Sequence, residues 1–182
     1  MNIPNMITVL RLLLIPVYLY FFYSDLDNNI LFAGIVFILA GISDVADGYI
    51  ARKYDLSTKL GIVLDPIADK LMMFTILISF TTKGIIPPWI LLALGVKELM
   101  MIAGGAVLYL FKGKQVMPSN KYGKIATLSF YAATLSIVFK LPEIVSTVLF
   151  ILTVILNIIA FINYLIIFIG LRKNTNKDVV DK

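Results

Sequence analysis

Asp44, Asp47, Asp65 and Asp69 stand in one stretch, GISDVADGYIARKYDLSTKLGIVLDPIADK, residues 41–70, inside an otherwise apolar chain. Asp44 and Asp47 are three residues apart and Asp65 and Asp69 four, so on helices each pair shares a face. The pairs Asp47/Asp65 and Asp44/Asp69 are both centred near Leu56, which sets them level across a helical hairpin that turns there. Carboxylates that converge in a low dielectric repel one another, and protons or cations must hold them together. Hard divalent cations favour oxygen ligands, and a chain with no His and no Cys offers nothing softer. Mg²⁺ or Mn²⁺ is the expected guest. The same acids would also serve as lumen-lining groups of a cation- or proton-coupled carrier. Gly48, Ala51 and Gly61 beside them favour the first chemistry, because small residues let a bulky ligand or a second helix approach closely.

The missing residue types restrict the rest. Without Cys there is no disulfide framework, thiolate nucleophile or thiolate metal site, and without His no imidazole base. Chemistry falls to carboxylates, hydroxyls, Lys and Arg, with a carboxylate the natural general base.

The elements that hold these acids are membrane helices. Of 182 residues, 60% are hydrophobic and only 15% charged, against about half and about a quarter in a soluble domain; the mean hydropathy is +0.95. The apolar residues fall in long blocks, which implies an all-α, polytopic helical bundle. Six hydrophobic passages cover about 6–23, 30–52, 60–81, 86–111, 122–139 and 144–170. Pro16 and Pro87-Pro88 are expected kinks or helix starts. No internal repeat is visible, and Met1–Thr8 lacks the basic region of a cleavable leader. The net charge of +5 suits anionic lipids or phosphorylated substrates, and equally the anchoring of a cytoplasmic face. Arg52, Lys53 and Lys59 flank the second connector, Lys112, Lys114, Lys121 and Lys124 the fourth, and Arg172, Lys173, Lys177 and Lys182 the tail. Positive loops face the cytoplasm, so both termini are expected there. The acids then open onto a cytoplasm-facing cavity, with Asp44 ~12 Å in from Arg52 at ~1.5 Å per residue.

The string Asp44-x2-Asp47-Gly48-x2-Ala51-Arg52-x8-Gly61-x3-Asp65-x3-Asp69 resembles the full signature of the CDP-alcohol phosphotransferase family, eight residues at fixed spacing. The resemblance covers the whole chain and implies a multi-pass cell-membrane protein: residues 1–170 as one transmembrane domain, and 171–182 as a polar cytoplasmic tail. Members of the family move a phosphoalcohol group from a CDP-alcohol to an acceptor hydroxyl and release CMP. By carry-over, Asp44, Asp47 and Asp65 hold two divalent ions on the donor pyrophosphate, with Asp69 a further ligand and the general base. Asp44, Asp47, Gly48, Ala51, Arg52 and Gly61 contact the donor, the small residues making room for cytidine. The resemblance also implies a homodimer, with membrane lipids around it and no role for nucleic acid.

The acceptor rests on shorter strings. PNMITVLR (Pro4–Arg11) is similar to the P-N-x-x-T-x-x-R of the branch of that family that uses sn-glycerol 3-phosphate. Lys97-Glu98 stands where that branch carries Arg-Glu, a departure that keeps the charge and loses the bidentate fork. GKIAT (Gly123–Thr127) stands at its Gly-Lys-x-x-Thr. Thr8, Arg11, Lys97, Lys121 and Lys124 are therefore the expected acceptor-phosphate set. Other readings stay open: Asn5 as a helix cap with Arg11 reaching to the interface, Lys97-Glu98 as a structural ion pair, and the rim lysines as topology signals alone. The expected reaction takes CDP-diacylglycerol and sn-glycerol 3-phosphate to phosphatidylglycerophosphate and CMP. Inositol phosphate or phosphatidylglycerol are the alternative acceptors.

Overall fold

In the computed structural model the backbone is described for residues 3–54, 59–111 and 121–180, and side chains for most residues of 7–104 and 121–166. Asp47, Ala51, Arg52 and residues 55–66 are outside the described side chains. Six helices and, among the described residues, no strand make up the chain: α1 (Ile3–Tyr23), α2 (Asn29–Lys53), α3 (Lys59–Thr82), α4 (Pro88–Phe111), α5 (Lys121–Val138) and α6 (Glu143–Val180). Five follow the hydrophobic passages to within three residues at either end. The sixth runs ten residues past the apolar block that ends near Gly170. Hydropathy marks where a helix leaves an apolar medium, whereas backbone hydrogen bonding continues until a breaker stops it, and LRKNTNKDVV holds neither Gly nor Pro.

The chain divides into two compact units, Met1–Pro87 and Pro88–Lys182. In the first, α1 packs on both α2 and α3. Tyr18 stacks on Phe22 at 5.6 Å between ring centroids, and Phe22 meets Phe80 of α3 at 5.8 Å. Ala33, Phe37, Ile76 and Leu77 are buried with them. The α1–α2 turn is tied by Asn29, whose Nδ2 donates to the carbonyls of Phe22 (3.1 Å) and Ser24 (3.2 Å). Gly84, at φ +68°, ends α3: its N–H reaches Thr81 O and that of Ile85 reaches Phe80 O at 2.8 Å, satisfying carbonyls of the last turn. Pro16 lies inside α1.

In the second unit α6 packs on both α4 and α5. Pro88 opens α4, a position where its missing N–H costs nothing. Between α5 and α6, Lys140 takes φ +52° while Leu141 N bonds Ser136 O at 2.9 Å. Ser136 Oγ and Ser146 Oγ, 2.9 Å apart, join the two helices below that turn. Phe130, Ala133, Phe150 and Val154 are buried in this unit.

Many large apolar side chains face outward, with Val45, Leu128 and Ile144 about 70% exposed. Patches of this extent mark contact with something apolar. Among the described residues, α2 over Asn29–Ala46 and α6 over Glu143–Ile166 are long and apolar enough to cross a membrane.

Candidate active site

Arg11 is the centre of the first unit's polar cluster. It stands eight residues after the start of α1, Asp44 nine before the end of α2, and Asp69 ten after the start of α3. At ~1.5 Å per residue all three lie ~12–15 Å from the same end of an up-down-up triplet. Side chains at one level of three packed helices meet. Arg11 Nη2 lies 2.7 Å from Asp44 Oδ1, and Nη1 donates to Asp69 Oδ1 at 2.6 Å. The guanidinium forks across two helices, where a bidentate pair would use one carboxylate.

The burial is asymmetric. Arg11's side chain is 2% exposed, whereas those of Asp44 and Asp69 are 38% and 43% exposed. Thr8, one turn before Arg11 on the same helix, is fully buried. A buried guanidinium therefore supports two acids that remain open on another side. Asp44 and Asp69, level across the hairpin by their spacing, do meet on one cationic group. Asp47 and Asp65 sit on α2 and α3, each about one turn nearer the α2–α3 connection. Gly48 is half-buried on α2, and Ala51, Arg52 and Gly61 lie on the helical backbone of α2 and α3. Among the described residues no three acids close on one point.

A hard divalent ion suits this donor set. Carboxylates from two helices converge on a positive group, all oxygen donors, in a chain with no softer ligand.

The second unit holds a different ionic group. Lys97 Nζ of α4 donates to Glu98 and, at 2.9 Å, to Asn157 Oδ1 of α6. Asn157 Nδ2 in turn donates to Thr153 O at 2.9 Å. The side chains of Lys97 and Glu98 are 12% and 4% exposed. Sequence reasoning missed Asn157. Its signal was an amide alone among Ile, Leu and Val in LTVILNIIAF (residues 152–161), a costly placement in lipid unless it pairs. Lys121 and Lys124 are exposed on the first turn of α5, with open space around Gly123 between them.

Residues 1–162 match the CDP-alcohol phosphatidyltransferase family, and the chain belongs to it. A protein of Aquifex aeolicus named CDP-diacylglycerol–glycerol-3-phosphate 3-phosphatidyltransferase is 34% identical over 90% of this chain and 94% of its own length. A protein of Mycobacterium tuberculosis named "Putative cardiolipin synthase" is 40% identical over 71% of this chain and 61% of its own. The chain thus spans less than two thirds of that relative. A third, from Pseudomonas fluorescens, shares the Aquifex protein's name and is 49% identical over 43% of this chain and 40% of its own length. With its two long apolar helices, this transferase-family chain is membrane-associated.

Proposed function

We propose that the chain transfers the phosphatidyl group of CDP-diacylglycerol to sn-glycerol 3-phosphate, forming phosphatidylglycerophosphate and releasing CMP. The observation that carries the reading is the meeting of Asp44 and Asp69, the first and last acids of the family motif, on one guanidinium. The name of the Aquifex relative, aligned over nearly its whole length, supports the acceptor.

In this reading Asp44, Asp47, Asp65 and Asp69 hold two divalent ions. Bound there, Mg²⁺ or Mn²⁺ would neutralise the pyrophosphate and stabilise the leaving CMP. Asp44, Asp47, Gly48, Ala51, Arg52 and Gly61 seat the donor's cytidine diphosphate. Asp69 accepts the proton of the acceptor hydroxyl as its oxygen bonds to the phosphatidyl phosphorus and the bond to CMP breaks. Thr8, Arg11, Lys121 and Lys124 attract and orient the acceptor phosphate. For Lys97 the pairing with Glu98 and Asn157 favours the alternative role, an ionic bolt between α4 and α6.

The family match crosses the boundary of both units, which supports residues 1–170 as one functional domain with 171–182 beyond it. All six helices would cross the cell membrane, both termini and the acids facing the cytoplasm, in a homodimer. The chain has no native cysteine, so Ser57→Cys should label from the cytoplasmic side and Asn28→Cys from outside. Labelling of Ser57→Cys from outside would overturn this orientation.

A second acceptor reading has one observation behind it, the name of the mycobacterial relative: phosphatidylglycerol in place of sn-glycerol 3-phosphate. CMP release from CDP-diacylglycerol, measured with sn-glycerol 3-phosphate, phosphatidylglycerol and inositol phosphate in turn, separates them. Release with the first alone is expected, abolished by EDTA and restored by Mg²⁺ or Mn²⁺. No release with any acceptor would favour a carrier. Full activity in EDTA would end the metal assignment.

A further inference from the structure

We infer that Arg11 is the resident counter-cation of the acidic cluster, competing with divalent ions for Asp44 and Asp69 and giving up those carboxylates when an ion binds. This rests on the reading of Asp44 and Asp69 as metal ligands.

Three observations carry it. The contacts at 2.7 and 2.6 Å put a full positive charge directly on the two acids. The guanidinium approaches from the buried side, and the carboxylates keep an exposed side by which a solute ion reaches them. One guanidinium meets acids of two different helices at once, so an ion that takes either carboxylate disturbs a partner that both share.

Removing either partner of a buried ion pair strands the other, which is the costly event. Arg11 therefore lets α1, α2 and α3 pack around ionised acids before any metal arrives. A divalent ion on the same carboxylates takes over part of their lone-pair capacity and repels the guanidinium beside it. Arg11 and the ion are thus alternative partners, and each weakens the hold of the other on Asp44 and Asp69. A residue that merely oriented the carboxylates for metal would have the opposite sign, since its loss would weaken metal binding.

The sign is measurable without turnover. Mn²⁺ alone is titrated into the purified full-length chain in lipid nanodiscs, bound and unbound Mn²⁺ are separated by electron paramagnetic resonance, and melting is followed with and without the ion. Arg11→Gln should bind Mn²⁺ about tenfold more tightly than the wild type, the effect of one nearby charge removed at a partly exposed site. Its metal-free form should melt lower than the wild type, and saturating Mn²⁺ should raise its melting temperature by more. Arg11→Lys keeps the charge without the fork and should fall between the two; if Arg11→Gln does not fold, the same comparison is made with Arg11→Lys. Unchanged or weaker Mn²⁺ binding in the variants, with the wild type binding normally, overturns the inference and leaves the metal site standing. Absence of Mn²⁺ binding in the wild type overturns both.

Discussion

The first unit buries an arginine between two carboxylates that stay 38% and 43% exposed; the second buries a lysine against one carboxylate that is 4% exposed. Both are cation–carboxylate clusters set within apolar helices, yet their exposure differs. Lys97 meets Glu98 largely out of solvent, and Asn157 adds a hydrogen bond that α6 returns to its own backbone. Such a group holds two helices together. Around Arg11 one guanidinium meets acids of two helices, with part of each acid open. Open carboxylates are what a solute ion can use. The difference separates a site from a fastening, and sequence alone shows only that both contain ionisable residues in apolar helices.

Mutations should separate the two clusters by the quantity they change. The largest effects belong to the first unit: Asp44→Asn or Asp65→Asn should lower CMP release by several orders of magnitude and weaken donor binding with it. Asp69→Asn should cost ~10²–10⁴-fold in kcat, the usual worth of a positioned base, while donor binding persists. Normal turnover in that variant would remove Asp69 from the proton's path.

In the second unit stability should move first. Glu98→Leu strands a buried lysine and should cost about 3–5 kcal/mol, read as a fall in melting temperature, whereas Lys97→Met combined with Glu98→Leu should recover most of it. Asn157→Leu should cost about 1 kcal/mol, in the range of a hydrogen bond between helices in lipid. If the double variant melts normally but has lost affinity for sn-glycerol 3-phosphate, Lys97 belongs to the acceptor site and the contrast between the units fails. The smallest effect is expected at the α5 rim, where Lys124→Ala should raise KM for sn-glycerol 3-phosphate a few-fold, less so at high salt, with KM for the donor unchanged.

Much of this contrast is local in sequence, and that part was legible. Helix length and the breaks at Asn28–Asn29, Gly84–Pro88 and Lys140–Pro142 follow from apolar runs and turn residues. The level placement of Asp44 and Asp69 follows from helical rise and one hairpin. The partners across 58 and 60 residues do not. Nothing near Arg11 in the chain says that its charge is met by α2 and α3, and the P-N-x-x-T-x-x-R string pointed to phosphate or to the membrane interface. Asn157 is the same case: its pairing with Lys97 is set by how α6 lies on α4, a packing choice that local spacing does not encode. Charges reveal where chemistry is affordable, but their pairing is a property of the assembled helices.

The length of α6 has a mechanical consequence. Its 38 residues extend ~57 Å at ~1.5 Å per residue, nearly twice the ~30 Å of a bilayer's hydrocarbon. The apolar block ends near Gly170, and the helical rod continues through Arg172, Lys173 and Lys177 to Val180. A rod that projects so far acts as a pointer. If its inner end is pinned, a 10° lean sweeps its tip through about 10 Å, from the same helical rise. A fluorophore on Val180 would turn small changes of slope in the buried part into displacements large enough for distance measurements by energy transfer.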